Sequence, residues 1–298
     1  MRKTIANTFL EYAETSNNFV VLTADLGYSV FDTFREKHPD KFYNVGIAEN
    51  TMVGVAAGLA MTGKKVFTYS IASFLAVKCS EQIRDDVSYH NLPVVLIGTG
   101  AGFAYGQAGY THYANEDLAI MRTIPNLTII SPSDPVELRL LLEKTMDYDK
   151  PVYMRVGKGG EQTFTNRSDL AIGQAYFLEE EEEIAIVAHG SIMEEAHKLR
   201  ELLKGQGKKV SLVSSPTIKP LDYTFFKELR NRHSKIYVVE EHYKTGGLGS
   251  ALLESGFDVE VFAIPDEYTF EGGTQKYLRT MNRIDAVSMY NEIMKSTH

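Results

Sequence analysis

Residues Tyr43–Gly63 read YNVGIAENTMVGVAAGLAMTG, a run of small and apolar side chains opened by a single carboxylate, Glu49. Nothing between Glu49 and Met61 breaks a helix. Val53, Val55, Ala56, Ala57, Leu59 and Ala60 leave that helix almost no polar face, so it is expected to be buried on most sides. A Glu in a first helical turn suits the macrodipole, and position alone therefore admits a plain helix-start residue. A carboxylate opening a buried helix, however, needs a partner or a proton. Just beyond Gly63 comes an apolar run, Lys65–Tyr69 (KVFTY), with the composition of a covered strand.

This helix-then-strand unit repeats in both directions. Further strands are expected at Phe19–Ala24, Pro93–Ile97, Leu127–Ile130, Pro151–Val156, Ile184–Ala188, Lys209–Val213, Ile236–Val239 and Val259–Ile264. Helical patterns cover Thr4–Glu14, Leu75–Tyr89, Pro135–Met146, Met193–Lys204 and Asp285–Lys295. Alternation of this kind implies an α/β protein with doubly wound sheets. The polar, glycine-rich stretch after Val156 lacks periodicity. It reads as a linker over 158–172 between a domain of residues 1–157 and one of residues 173–298. Ligands of such sheets sit beyond the carboxyl ends of the strands. Those ends carry Asp25-Leu-Gly, Gly98-Thr-Gly-Ala-Gly, Ser131-Pro-Ser-Asp, Arg155-Val-Gly, His189-Gly-Ser and Glu240-Glu-His.

Composition removes several function classes. The 298 residues carry 31 Lys+Arg against 39 Asp+Glu, a net charge of −8, which disfavours binding to nucleic acid through the overall field. One cysteine, Cys79, rules out an intrachain disulfide and a cysteine-built zinc site. Neither a signal core nor a membrane-length apolar run is present, so a soluble, cytoplasmic protein is expected. No metal-ligating spacing, GxSxG elbow or Walker motif occurs, and the glycines of Thr99–Tyr113 (TGAGFAYGQAGYTHY) lack the spacing of a dinucleotide fold. His112 closes that loop, where a surface histidine and a functional one are equally admissible.

Taken together, Leu22-Thr-Ala-Asp25-Leu-Gly, Asn44-Val-Gly-Ile-Ala-Glu49-Asn, Glu81-Gln-Ile-Arg84, Gly109-Tyr-Thr-His112, Ser131-Pro-Ser-Asp134 and Glu240-Glu-His-Tyr-Lys-Thr-Gly-Gly-Leu-Gly249 resemble transketolases in content and order. The resemblance spans nearly the whole chain and is to the C-terminal subunit of a split transketolase: a pyrimidine-binding domain followed by the family's C-terminal domain. It implies a thiamine diphosphate enzyme that transfers a two-carbon ketol unit from a ketose, often phosphorylated, to an aldose. By the same resemblance Glu49 hydrogen-bonds N1′ of the cofactor's aminopyrimidine, Asp25 lies near the cofactor, and Ile71, Phe74 and Val77 wall the pyrimidine pocket. His112 stands beside the substrate hydroxyls, with Arg2, Ser29 and Arg155 at the phosphate. Glu49 and His112 are thus the expected catalytic residues.

Two departures stand out. The family Asp that reads a substrate hydroxyl is Ala108 here, and a phosphate-side His is Gly100, which points to a specialised sugar. The family's diphosphate-binding motif, with its divalent metal (Mg2+ or Ca2+), is missing from the chain. An N-terminal partner subunit is therefore expected to hold the metal, in an α2β2 assembly, with this chain supplying no metal ligand and inactive alone. The alternatives are a 1-deoxyxylulose-phosphate-synthase-like subunit, a 2-oxoacid dehydrogenase β-type subunit, and a catalytically silent scaffold.

Overall fold

A computed structural model describes residues 1–296. Its strands are β1 (Phe19–Thr23), β2 (Phe42–Asn44), β3 (Lys65–Ile71), β4 (Val94–Thr99), β5 (Thr128–Ile130), β6 (Val152–Val156), β7 (Tyr176–Glu179), β8 (Glu183–Ala188), β9 (Val210–Ser214), β10 (Thr217–Lys219), β11 (His233–Tyr243) and β12 (Glu260–Ile264). They form a seven-stranded sheet in the order β10-β5-β6-β4-β3-β1-β2 and a five-stranded sheet in the order β12-β11-β8-β9-β7. All neighbours run parallel except β10 on β5 and β7 on β9.

All nine expected runs are strands. The three that the sequence did not announce, β2, β7 and β10, each lie at a sheet edge. An edge strand is covered on fewer sides, so it lacks the continuous apolar run that marks an interior one. In the first sheet Val20, Leu22, Val94 and Leu96 enter one apolar layer while Phe19, Val21, Val95 and Ile97 enter another on the opposite face. The first of these layers continues through Ala185, Val187, Val213 and Val238 of the second sheet, so the two sheets share a core. A third layer covers the far face of the second sheet. Strand β10, from the C-terminal half, completes the edge of the N-terminal sheet.

Two helical expectations need correction. The stretch read as one helix over Leu75–Tyr89 is wound wide in two places, Phe74–Lys78 and Ile83–Ser88, with a short α turn Ser80–Gln82 between them. Asn50 Nδ2 donates to the Lys78 carbonyl (2.8 Å) and to Gln82 Oε1 (2.7 Å), giving a carbonyl of the widened segment a partner outside it. The helix Glu49–Met61 buries Met52, Val53, Ala56, Ala57 and Ala60 but leaves Thr51, Val55, Gly58 and Met61 exposed, so one face is open. No helix among the described residues is long and apolar enough to cross a membrane.

Candidate active site

The parallel strands β1, β2, β3 and β4 end on one side of the sheet, and Glu49 opens the helix that follows β2. The residue is 4% exposed at the first turn of a mostly apolar helix, the setting in which a charge needs a partner. The partner is Lys78, whose Nζ lies 2.7 Å from Glu49 Oε2. The same ammonium sits 5.5 Å from the centre of the Phe74 ring. Cys79, buried behind this pair, has its thiol pushed up to about 12, first by burial and then by the charge of Glu49. It is a packing residue, not a nucleophile.

From Phe74 a line of rings leads outward. The His112 ring centre is 5.1 Å from that of Phe74, and Tyr105 stands 6.4 Å beyond His112. Thr111 Oγ1 engages His112 Nδ1 at 3.0 Å, and Ser73 Oγ donates to the Thr111 carbonyl at 3.2 Å, tying the loop to the end of β3. Lys158 Nζ lies 5.0 Å over the Tyr105 ring. A cavity of about 500 Å³ follows, lined by Tyr105, Ala108, Lys158, Thr274 and Gln275 among others. Gly100 has φ +87°, and a Cβ built on it would come 2.1 Å from the Tyr105 ring. The tyrosine thus occupies the space that a side chain at position 100 would need.

Asp25 organises the neighbouring strand ends. It adopts φ +48°, a backbone strain of the kind that gathers at functional sites. Its amide donates to Asn44 Oδ1 (2.9 Å), and Asn44 Nδ2 donates back to Asp25 Oδ1 (3.3 Å). Asn44 Oδ1 also accepts from Gly46 N (3.0 Å), which fixes the short loop delivering Glu49. The Tyr28 hydroxyl donates to Asp25 Oδ1. That bond foremost, and then the one from Asn44, hold the Asp25 carboxyl below the ordinary carboxylate range.

The structure therefore brings Glu49 and Phe74 together through Lys78, sets His112 against Phe74, and ties Asp25 through Asn44 to the loop before Glu49. Ile71 is buried at the end of β3, while Val77 is exposed beside Lys78. Ser29 is exposed, its hydroxyl donating to the Tyr28 carbonyl at 2.6 Å. Arg2 is half-buried within electrostatic reach of the Tyr69 phenol. Arg155 lies elsewhere. It is 1% exposed, its Nε is 2.8 Å from Asp117, and its Nη2 donates to the carbonyls of Ala114 (2.7 Å) and Glu241 (2.9 Å). Its Nε and Nη2 are thus engaged inside the protein.

Several other strand ends expected to face a ligand instead face each other. His189 Nδ1 is 2.9 Å from Ser131 Oγ, and its Nε2 lies 3.5 Å from Glu240. Glu240 accepts from the amides of Leu248 (2.8 Å) and Gly249 (3.1 Å) at the start of the helix Leu248–Glu254. All three side chains are buried, and this serine–histidine–glutamate row joins the two sheets.

Residues 1–160 match the transketolase pyrimidine-binding domain, and residues 173–268 the transketolase C-terminal domain. The chain belongs to the transketolase family. It is 33% identical over 282 residues to an apulose-4-phosphate transketolase subunit of Phocaeicola vulgatus, covering 92% of this chain and 90% of that protein. It is 34% identical to a 6-deoxy-6-sulfo-D-fructose transketolase subunit of Clostridium sp. (strain MSTE9), over 85% of this chain and 80% of the other. The solved structure of a split-gene transketolase, described as an inactive β4 tetramer, superposes with a TM-score of 0.87 at 29% identity, covering 99% of this chain and 96% of that one. This transketolase chain is thus a C-terminal split subunit, and its family depends on thiamine diphosphate.

The residues fit the pyrimidine end of that cofactor. A buried carboxylate beside an aromatic ring, reached from outside past His112, offers one charged hydrogen-bonding group in an apolar setting. Lys78, Tyr105 and Lys158 were not legible beforehand. Each reads in sequence as an ordinary surface residue; only Lys158, a cation just past the end of β6, carried a positional hint.

Proposed function

We propose that this chain is the cofactor-activating subunit of a two-part transketolase acting on a specialised anionic sugar in the cytoplasm. The observation that carries the reading is Glu49, 4% exposed at the mouth of an apolar helix, with Phe74 and His112 lined up beside it. When bound, thiamine diphosphate supplies the electron sink for breaking and forming a bond next to a ketose carbonyl. Glu49 holds a proton at N1′ of the aminopyrimidine. Phe74 and Ile71 keep water from that contact, and His112 orients the sugar hydroxyls. Asp25, fixed by Asn44 and Tyr28, holds the neighbouring strand ends.

Beyond His112, Tyr105 and Lys158 receive the far end of the sugar, where Lys158 supplies a cation at the cavity while Arg155 is paired with Asp117. Ala108 and Gly100 remove two side chains from this region, and Tyr105 fills the second gap. That altered lining suits a sugar with a different pattern of hydroxyls, and relatives named for apulose 4-phosphate and a sulfo-sugar show how far such substrates range in the family. The diphosphate and its divalent metal, Mg2+ or Ca2+, fall to an N-terminal partner subunit in an α2β2 enzyme. Exposed Ile47 (82%), Val55 and Val77 border Glu49 and offer an apolar rim for that partner.

The test is Glu49→Gln in the assembled enzyme. Gln keeps the shape and cannot hold the proton, so ketol transfer is expected to fall by about 10²–10⁴-fold with unfolding temperature nearly unchanged. Full activity in this variant would remove the reading.

A further inference from the structure

The ammonium of Lys78 is held by the two features that the proposed function assigns to the aminopyrimidine. It lies 2.7 Å from Glu49 Oε2 and 5.5 Å from the centre of the Phe74 ring. Its backbone is anchored, because the Lys78 carbonyl accepts from Asn50 Nδ2 at 2.8 Å and the residue closes the widened turn Phe74–Lys78. Its side chain is half exposed, at 51%, on a long flexible stem, whereas the Glu49 side chain is 5% exposed. One end of this ion pair is fixed and the other can swing into water.

We propose that Lys78 stands in for the aminopyrimidine in the unloaded subunit and is displaced when the cofactor binds, so that it gates loading. Two physical grounds support this. A ring placed between Glu49 and Phe74 needs the volume that the ammonium now fills. A cation left on Glu49 also occupies the oxygen that N1′ would meet. An ion pair with one partner half in solvent is weak enough to be broken by a ligand. The pairing meanwhile spares Glu49 the cost of an uncompensated buried charge. This inference rests on the cofactor role proposed for Glu49.

The experiment is calorimetric titration of thiamine diphosphate with Mg2+ into the complex of this chain with its N-terminal partner, for wild type, Lys78→Met and Lys78→Arg. Lys78→Met removes the competitor and is expected to bind about three- to tenfold more tightly, with Lys78→Arg close to wild type. In a Glu49→Gln background the Lys78→Met change should shift affinity less than twofold, because the pair is already gone. Unchanged or weaker binding by Lys78→Met, with wild type binding normally, overturns the gate alone. A gain that persists in full in the Glu49→Gln background overturns it too, since Lys78 would then obstruct the cofactor without being held on Glu49. Absence of binding by every form, wild type included, overturns the reading of Glu49 and the gate with it.

Discussion

At the scale of single residues, the site separates side chains that sequence makes visible from those that only geometry reveals. Glu49 is legible because a lone carboxylate before twelve mostly small and apolar residues is physically expensive unless it is used. Phe74 and His112 were legible through motif order. Lys158 was not, and Arg155, the more conspicuous cation, is enclosed by Asp117 and two carbonyls. Lys158→Ala is expected to raise KM for an anionic sugar by about tenfold or more, with a smaller change in kcat, as for a group that binds ground and transition states alike. Steady-state kinetics on the assembled enzyme measures this, and an unchanged KM would remove Lys158 from the site.

Among elements, the helix Pro135–Met146 shows how a local signal can serve a purpose different from the one first read into it. Ser131-Pro-Ser-Asp134 looked like a ligand-facing loop at a strand end. Asp134 instead caps the helix, Oδ1 accepting from Val136 N (2.8 Å) and Glu137 N (2.9 Å), with Pro135 at the first helical position. Its second oxygen accepts from the amides of Phe164 (2.8 Å) and Thr165 (2.7 Å), pinning the segment between the sheets. Asp134→Ala loses both functions and is expected to cost about 2–3 kcal/mol, more than a cap alone, seen as a lower midpoint in denaturant unfolding. Interior strands and the longer helices were readable because covered strands are uniformly apolar. Edge strands β2, β7 and β10, and the wide turns of residues 74–88, were not, since each is set by its neighbours and not by its own pattern.

Across the whole molecule, the two sheets are locked by a shared apolar layer and by buried polar joints, which gives a rigid floor to the site. One joint is Glu137, fully buried, accepting from Ser214 Oγ (2.6 Å), the Tyr176 hydroxyl (2.7 Å) and the Ser133 amide. Burial outweighs these donors and pushes its carboxyl up to about 6. A carboxyl raised above its unfolded value favours the folded state at low pH. That contribution is complete below the ordinary carboxylate value and is lost as pH rises through about 6. Over that window wild type should lose roughly 2 kcal/mol of stability relative to Glu137→Gln, which cannot ionise. Denaturant unfolding of both proteins at several pH values checks this, and parallel pH profiles would contradict it.

The same scale holds the central claim, that this chain does half of a reaction. Under the proposal, buried Glu49, the Phe74 and His112 rings and the exposed apolar residues Ile47 and Val77 form one side of a site. The most direct measurement is ketol transfer from a panel of ketose phosphates to aldehydes, with thiamine diphosphate and Mg2+, by this chain alone and mixed with its N-terminal partner. The expected result is transfer in the mixture only, strongest with a non-standard sugar and without carbon dioxide release from 2-oxo acids. Transfer by the chain alone, or decarboxylation of pyruvate by the mixture, would contradict the account.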